Sequence, residues 1–304
     1  MRTVFLGSSS FAVVVLSALA VSPHRPALVV TPPDRPRGRG RKTSPPPAAV
    51  AARELGVPVL QAASVNDAEA LAAIESAAPE GIGVCEFGQL IREPLLSHDL
   101  MLNVHPSLLP RWRGAAPIER ALMAGDTTTG VTIFQLTEGL DSGPMALRRA
   151  EPIHPDDTRG TLGARLAPLG ATLLIESFEA AEAGALELTE QPEEGVTYAE
   201  KIAPAERRLD TSRPALELER VVRALTPDIG AFIEFEGGER LGVDAARAVA
   251  EQMEPGEVRA TDGRLLVGCA AGALELKTVK PPGGRSMSAA DYLRGHQPPP
   301  RVAA

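Results

Sequence analysis

This chain of 304 residues has few cysteines, few aromatic residues and no long apolar run beyond its amino-terminal segment. Cys85 and Cys269 lie far apart and outside any C-x-x-C pattern, which excludes a multi-thiol metal site and fits a reducing cytoplasm. No spacing of His, Asp and Glu suggests a ligand set, so we expect no metal dependence. No later stretch is long and apolar enough to cross a bilayer, so we expect no membrane partner.

The amino-terminal segment, "MRTVFLGSSSFAVVVLSALAVS", allows two interpretations. A basic residue, an apolar run and an A-x-A sequence imitate a signal peptide. Alternatively, residues 3–6 form a buried strand, a Gly-Ser turn follows, and residues 11–20 form a helix. We favour the strand and helix, because Gly7 and three serines interrupt the apolar run and the serines offer N-cap oxygens. No G-x-G-x-x-G follows this strand, so the dinucleotide-binding fingerprint is absent.

Apolar β-branched runs alternate with Ala- and Leu-rich amphipathic segments as far as Ala183. This alternation predicts an α/β fold with a parallel, doubly wound sheet, whose chemistry is expected at the carboxyl ends of the strands. A polar, aperiodic connecting segment follows. Beyond Thr211, short alternating runs are separated by Gly-Gly and Asp-Gly turns. These turns predict hairpins and a small β-rich domain, either a barrel or a sandwich.

The segment "NVHPSLLPRWRGAAP" begins at Asn103 and contains the strongest candidates for chemistry. Its prolines cannot continue the preceding buried strand, so Asn103 and His105 are expected at a carboxyl end of the sheet. Asp141 follows the next apolar run in a Gly-flanked turn. A carboxamide, an imidazole and a carboxylate could polarise a carbonyl and move a proton in acyl or formyl transfer. From spacing alone, a turn-forming Asn, a structural His and a simple Asp-Ser-Gly turn remain the alternative.

A basic run interrupts this otherwise acidic chain, whose formal net charge is -8. It lies in "PPDRPRGRGRKTSPPP", directly after the second predicted strand, on the sheet edge where Asn103 and Asp141 are expected. The alternatives are an RNA-phosphate contact, a solvated surface segment, a targeting patch or a disordered linker. The cations are Arg35, Arg37, Arg39, Arg41 and Lys42.

The longer stretch "NVHPSLLPRWRGAAPIERALMAGDTTTGVTIFQLTEGLDSGP" resembles the formyltransferases that use 10-formyltetrahydrofolate, and among them the branch that acts on methionyl-tRNA. Further matching segments, such as "GVPVLQ", "TYAEKI" and "MSAADYLRG", follow in family order over nearly the whole chain. The resemblance implies an open, Rossmann-like, mostly parallel sheet in a catalytic domain over residues 1–188. A linker over 189–208 and a smaller OB-like, tRNA-binding β-barrel over 209–304 would follow.

The same resemblance implies the site residues and the reaction. Asn103, His105 and Asp141 fall on the family's catalytic positions. A formyl group would pass from 10-formyltetrahydrofolate to the α-amine of methionine on initiator tRNA, for translation initiation in the cytoplasm. Asn103 and His105 would stabilise the oxyanion, and Asp141 would orient His105. The basic run would contact tRNA, and the protein would be a monomer. The positions on the family's tetrahydrofolate-binding stretch are Ser107, Leu108, Leu109 and Pro110.

Three alternatives to this function differ in what they require of the chain. Relatives that formylate glycinamide ribonucleotide have one domain and would not need residues beyond about Lys201. Relatives that formylate amino sugar nucleotides share the two-domain plan, so length does not exclude them. A non-enzymatic RNA-binding protein would leave the three catalytic positions without purpose. The basic run and the locally basic carboxyl-terminal region favour a tRNA substrate.

Overall fold

The computed structural model describes residues 1–37 and 42–303, which form two compact units. Unit 1 comprises Met1–Gly114, Thr128–Pro152 and Gly163–Tyr198. Unit 2 comprises Ala115–Thr127, Ile153–Leu162 and the chain from Ala199 onward. The predicted functional boundaries, with a linker over 189–208, stay a prediction.

The α-helices are α1 (Ser10–Ala20), α2 (Pro47–Glu54), α3 (Ala68–Ser76), α4 (Pro117–Ala124), α5 (Arg159–Glu182), α6 (Ala215–Leu225) and α7 (Ala289–Gly295). The strands of the first half are β1 (Thr3–Gly7), β2 (Pro26–Thr31), β3 (Arg35–Arg37), β4 (Lys42–Ser44), β5 (Val59–Gln61), β6 (Gly81–Cys85), β7 (Met101–His105), β8 (Arg113–Gly114), β9 (Thr128–Gln135) and β10 (Met145–Pro152). The later strands are β11 (Tyr198–Ala199), β12 (Ala231–Glu234), β13 (Arg240–Val249), β14 (Val258–Thr261), β15 (Arg264–Gly268), β16 (Ala273–Lys280) and β17 (Met287–Ser288).

The central sheet of unit 1 has the strand order β10-β9-β7-β6-β1-β2-β5. Strands β5, β2, β1, β6 and β7 are parallel, which confirms the predicted mostly parallel α/β sheet. Strand β9 pairs antiparallel with β7, and β10 pairs antiparallel with β9. Every residue of β1 and of β6 is buried, as expected for central parallel strands that are covered on both faces.

The amino-terminal segment forms the strand and helix that the sequence favoured. Strand β1 lies between β2 and β6, and α1 begins immediately after the serine-rich turn. The Ser9 side chain caps α1 by accepting a hydrogen bond from the main-chain N–H of Ala12 at 3.1 Å. Within residues 1–37 and 42–303, no helix is long and apolar enough to span a membrane.

The described ends of the basic run lie in two short strands. Strands β3 and β4 form a short antiparallel ribbon, in which Arg35 pairs with Ser44. Arg35 is exposed. Arg39 and Arg41 lie outside the described residues, as do the side chains of Arg37 and Lys42.

Unit 2 contains an antiparallel sheet with the order β12-β13-β16-β15-β14, and β17 pairs with β16. Asp262 and Gly263 join β14 to β15, and both have positive φ values, 48° and 74°. This is the two-residue turn that the Asp-Gly signal predicted. Helix α6 packs its apolar face on the sheet through Leu218 and Val222. The antiparallel arrangement is consistent with the predicted small barrel-like domain.

Helix α5 packs closely on the central sheet because β6 carries a glycine beneath it. A Cβ at Gly83 would lie 3.1 Å from Cδ2 of Leu174, so the helix and the strand approach each other more closely than larger residues allow. Leu174 is fully buried at this contact. The contact is therefore a sensitive measure of packing in unit 1.

We expect Leu174→Ala to lower the free energy of unfolding by about 2 to 5 kcal/mol, because it leaves a cavity in a packed core. Leu188→Ala removes the same atoms from a side chain that is 45% exposed and should change the value by less than about 0.5 kcal/mol. Urea unfolding followed by circular dichroism measures both. Equal effects of the two substitutions would contradict the packing described for α5.

Candidate active site

Asn103 and His105 lie on the same face of β7, two residues apart, at the carboxyl end of the strand. Asn103 is partly buried, and its carboxamide makes no hydrogen bond within the part of the chain that the structure describes. His105 is 4% exposed and packs edge-on against Phe134 of β9, with ring centroids 6.2 Å apart. The strand thus presents one unpaired amide beside one buried imidazole.

The two ring nitrogens of His105 have different partners. Nε2 lies 2.8 Å from the carbonyl oxygen of Trp112. Because a carbonyl oxygen only accepts hydrogen bonds, Nε2 carries a hydrogen. Nδ1 faces Oδ2 of Asp141 at 3.6 Å. The nitrogen that can gain or lose a proton in a reaction is therefore Nδ1, on the side of the carboxylate.

Burial lowers the pKa of His105 below its ordinary value of 6.5. The carboxylate of Asp141, the hydrogen bond to the Trp112 carbonyl and the more distant charge of Glu86 act in the opposite direction. The lowered pKa favours a neutral imidazole in the resting protein. A neutral ring with hydrogen on Nε2 leaves Nδ1 free to accept a proton.

Asp141 reaches His105 by a route that the sequence did not predict. We expected the strand before Asp141 to end at the carboxyl edge of a parallel sheet, so that Asp141 would lie beside Asn103. The direction expected for that strand was wrong. Strand β9 runs antiparallel to β7, so its carboxyl end pairs with Leu102, three residues before His105. The connection over residues 136–144 carries Asp141 back to the imidazole. There the main-chain N–H of Gly114 donates to Oδ2 of Asp141 at 2.7 Å.

Several residues that touch this pair were missed by sequence reasoning as site residues. Trp112 and Gly114 supply main-chain partners for His105 and Asp141, and Trp112 has a φ of 65°. Thr197 accepts a hydrogen bond from the Trp112 N–H at 2.9 Å. Gln191 contacts the main chain of Asp141. Trp112 and Gly114 lie inside the segment that the sequence singled out, whereas the polar stretch around Gln191 and Thr197 carries no periodic signal.

Comparison with known proteins identifies the family. Residues 1–178 match the family "Formyl transferase", and residues 201–297 match "Formyl transferase, C-terminal domain". The chain belongs to the formyl transferase family. It is therefore a one-carbon group transferase, as the resemblance implied.

Two relatives and one solved structure illustrate how far the similarity extends. The methionyl-tRNA formyltransferase of Halorhodospira halophila is 47% identical over 301 residues, which cover 97% of this chain and 96% of that protein. That of Methylococcus capsulatus is 44% identical over 300 residues, or 97% of each chain. HypX from Aquifex aeolicus in complex with tetrahydrofolic acid superposes with a TM-score of 0.67 at 20% identity. The match covers 96% of this chain but 47% of HypX, and it shows the fold alone.

The stretch expected to bind folate in this formyltransferase has mixed exposure. Leu109 is fully buried in an apolar cluster with Phe134 and Met145, and Pro110 is also buried. The buried hydroxyl of Ser107 donates to the carbonyl of Arg111 at 2.7 Å. Leu108 is partly exposed. Folate binding by the stretch stays a prediction, and of its side chains Leu108 is the one with accessible surface.

Among residues 1–37 and 42–303, no group of three or more His, Cys, Asp and Glu side chains could hold a metal ion. Both cysteines are buried and free, and burial raises the pKa of the Cys269 thiol to about 11. The functional groups that converge in unit 1 are therefore the amide, the imidazole and the carboxylate.

The ring of His105 should titrate below 6.5, and Asp141→Asn should lower its pKa further, because the substitution removes the carboxylate that favours the imidazolium. Asparagine can still accept the Gly114 hydrogen bond, so the loop keeps its contact. Two-dimensional NMR of the histidine rings measures the change. An unchanged or higher pKa in the variant would show that the pair does not interact as described. The remaining rings serve as internal references: His24, His98, His154 and His296.

Proposed function

We propose that this formyltransferase moves a formyl group from 10-formyltetrahydrofolate to the α-amine of methionyl initiator tRNA, for translation initiation. The observation that carries the chemistry is the unpaired carboxamide of Asn103 beside an imidazole whose free nitrogen faces a carboxylate. The identity of the acceptor is supported by the near-full-length similarity to proteins named methionyl-tRNA formyltransferase. The tetrahydrofolic acid in the HypX complex supports a folate donor.

In the proposed mechanism, the amine nitrogen attacks the formyl carbon and the formyl oxygen becomes an oxyanion. The Asn103 carboxamide donates a hydrogen bond to this oxyanion. Because Nε2 of His105 is held by the Trp112 carbonyl, Nδ1 accepts the proton that the attacking nitrogen loses. The Asp141 carboxylate stabilises the resulting imidazolium.

Collapse of the tetrahedral intermediate then breaks the bond between the formyl carbon and the folate nitrogen. The proton on Nδ1 of His105 passes to that leaving nitrogen, so the imidazole returns to its neutral form. One proton has moved from the acceptor amine to the folate, and the formyl group has moved in the opposite direction. No other donor or acceptor of protons is required.

The acceptor distinguishes this proposal from its alternatives. The chain matches the named relatives across both units, including the carboxyl-terminal domain that the single-domain enzymes for glycinamide ribonucleotide would not require. A non-enzymatic RNA-binding protein would not need the His105–Asp141 pair. The proposal includes a monomer that acts in the cytoplasm, where initiator tRNA is charged and used.

Asn103→Ala and His105→Ala should each lower kcat by about 100-fold or more. Asn103→Ala removes an oxyanion donor, which contributes about 3 kcal/mol to lowering the barrier, and His105→Ala removes the general base, which contributes about 100-fold or more. The assay measures formyl transfer from 10-formyltetrahydrofolate to methionyl-tRNA and, in parallel, to an amino sugar nucleotide. His154→Ala, at an exposed position outside residues 209–304, is the matched control and should keep full activity. Near-normal turnover in either site variant, with circular dichroism unchanged, would refute the catalytic assignment. Preference for the amino sugar would refute the acceptor.

Replacing Arg39, Arg41 and Lys42 together by alanine should raise KM for tRNA. It should also make the plot of log affinity against log salt concentration less steep, by about 0.7 to 0.9 for each phosphate contact that is lost. Folate binding should not change. The control carries Arg39→Lys, Arg41→Lys and Lys42→Arg together. It keeps the charge and should keep most of the salt dependence. If folate binding alone suffers, the basic run does not serve the tRNA.

A further inference from the structure

Gln191 lies in the polar segment after α5 and uses both ends of its amide. Nε2 donates to the main-chain carbonyls of Asp141, at 2.9 Å, and Gly143, at 2.8 Å. Oε1 accepts from Nε and Nη2 of Arg113, at 3.0 and 2.8 Å. Carbonyl oxygens only accept and a guanidinium only donates, so these partners permit one orientation of the amide.

The partners of Gln191 belong to the two segments that fix the Asp141 carboxylate. Asp141 and Gly143 lie in the connection over residues 136–144. Arg113 is followed by Gly114, whose N–H holds Oδ2 of Asp141. The main chain of Asp141 has a φ of 45°, in a region that non-glycine residues rarely adopt. Such a conformation persists where surrounding contacts hold it, and the amide of Gln191 supplies one of them.

The segment that carries Gln191 is itself held in place. Thr189 and Met145 exchange two main-chain hydrogen bonds, at 2.7 and 2.9 Å, on the amino-terminal side. On the other side, the N–H of Arg113 donates to the carbonyl of Thr197 at 2.9 Å. Gln191 therefore extends from a fixed backbone toward the connection that carries the carboxylate.

We propose that Gln191 is a positioning residue for formyl transfer, which clamps the connection over residues 136–144 to Arg113 and so keeps the Asp141 carboxylate beside Nδ1 of His105. Gln191 contacts main-chain carbonyls and a guanidinium but neither ring nor carboxylate, so it acts through Asp141. The inference rests on the roles proposed above for His105 and Asp141.

Two substitutions separate this clamp from a merely structural contact. Gln191→Ala removes both halves of the interaction. Gln191→Glu keeps an acceptor for Arg113 but replaces the donor by a carboxylate oxygen that faces two carbonyl oxygens. If Gln191 served only to satisfy Arg113, glutamate would substitute for it. The clamp predicts that both variants lower kcat by about 10- to 100-fold, with KM for both substrates near its original value. Glu75→Ala, at an exposed position on α3, is the control and should have no effect.

The titration of His105 provides a measurement that does not depend on turnover. Asp141 and Glu86 are the charged groups whose fields favour its imidazolium. Withdrawal of the Asp141 carboxylate in Gln191→Ala should lower the pKa of the His105 ring in the NMR titration, as Asp141→Asn does. An unchanged His105 pKa in Gln191→Ala, or full kcat in Gln191→Glu, overturns the proposal. Failure of the proposed function can be told apart from failure of this inference. If the proposed function is wrong, His105→Ala retains turnover, whatever the Gln191 variants do.

Discussion

The hydrogen bond from Nε2 of His105 to the carbonyl of Trp112 determines which ring nitrogen can take part in proton transfer. It commits one nitrogen to the protein and leaves Nδ1 for the carboxylate and the substrate. The bond exists because Trp112 adopts a φ of 65°, which turns its carbonyl toward β7, and because Thr197 holds the Trp112 N–H. A conformation of this kind costs on the order of 1 to 3 kcal/mol and is maintained by the contacts around it. The chemistry of the site thus depends on backbone that no side chain of the catalytic set controls.

The carboxamide of Asn103 is the second polar group on which the proposed site depends. A partly buried amide without an internal partner is a cost to the folded protein unless a ligand or water satisfies it. Its main chain lies on a central strand, in register with Phe134 of β9 and Val84 of β6. A donor fixed before the substrate arrives needs no reorganisation when the oxyanion forms. The proposed site therefore combines the Asn103 donor with an imidazole whose protonation is set by the Trp112 carbonyl at Nε2 and the Asp141 carboxylate at Nδ1.

What the sequence predicted well was local. The alternation of strand and helix, the break of β7 at its prolines and the Asp-Gly turn between β14 and β15 each depend on neighbouring residues, and each is present. The position of Asp141 depends on the direction of β9 and on contacts from Gly114 and Gln191, 27 and 50 residues away in sequence. The β3–β4 ribbon likewise depends on pairing between residues that are not adjacent in sequence, such as Arg35 with Ser44. The proposed assignment of three catalytic positions came from resemblance, because spacing alone left the structural alternatives open.

The contrast between an acidic chain and a basic run follows from the range of electrostatic interactions. Charges at physiological ionic strength are screened beyond about 8 Å, so a tRNA phosphate responds to the nearest side chains rather than to the net charge of -8. The acidic remainder still acts on encounter, because it disfavours RNA approach by other surfaces. Strand β2 is parallel to β7 through β1 and β6, so the basic run begins at the same carboxyl edge of the sheet as Asn103 and His105. In the proposed function, a concentrated positive segment on an acidic protein confines productive contact with RNA to the edge where Asn103 and His105 lie, which serves specificity as much as affinity.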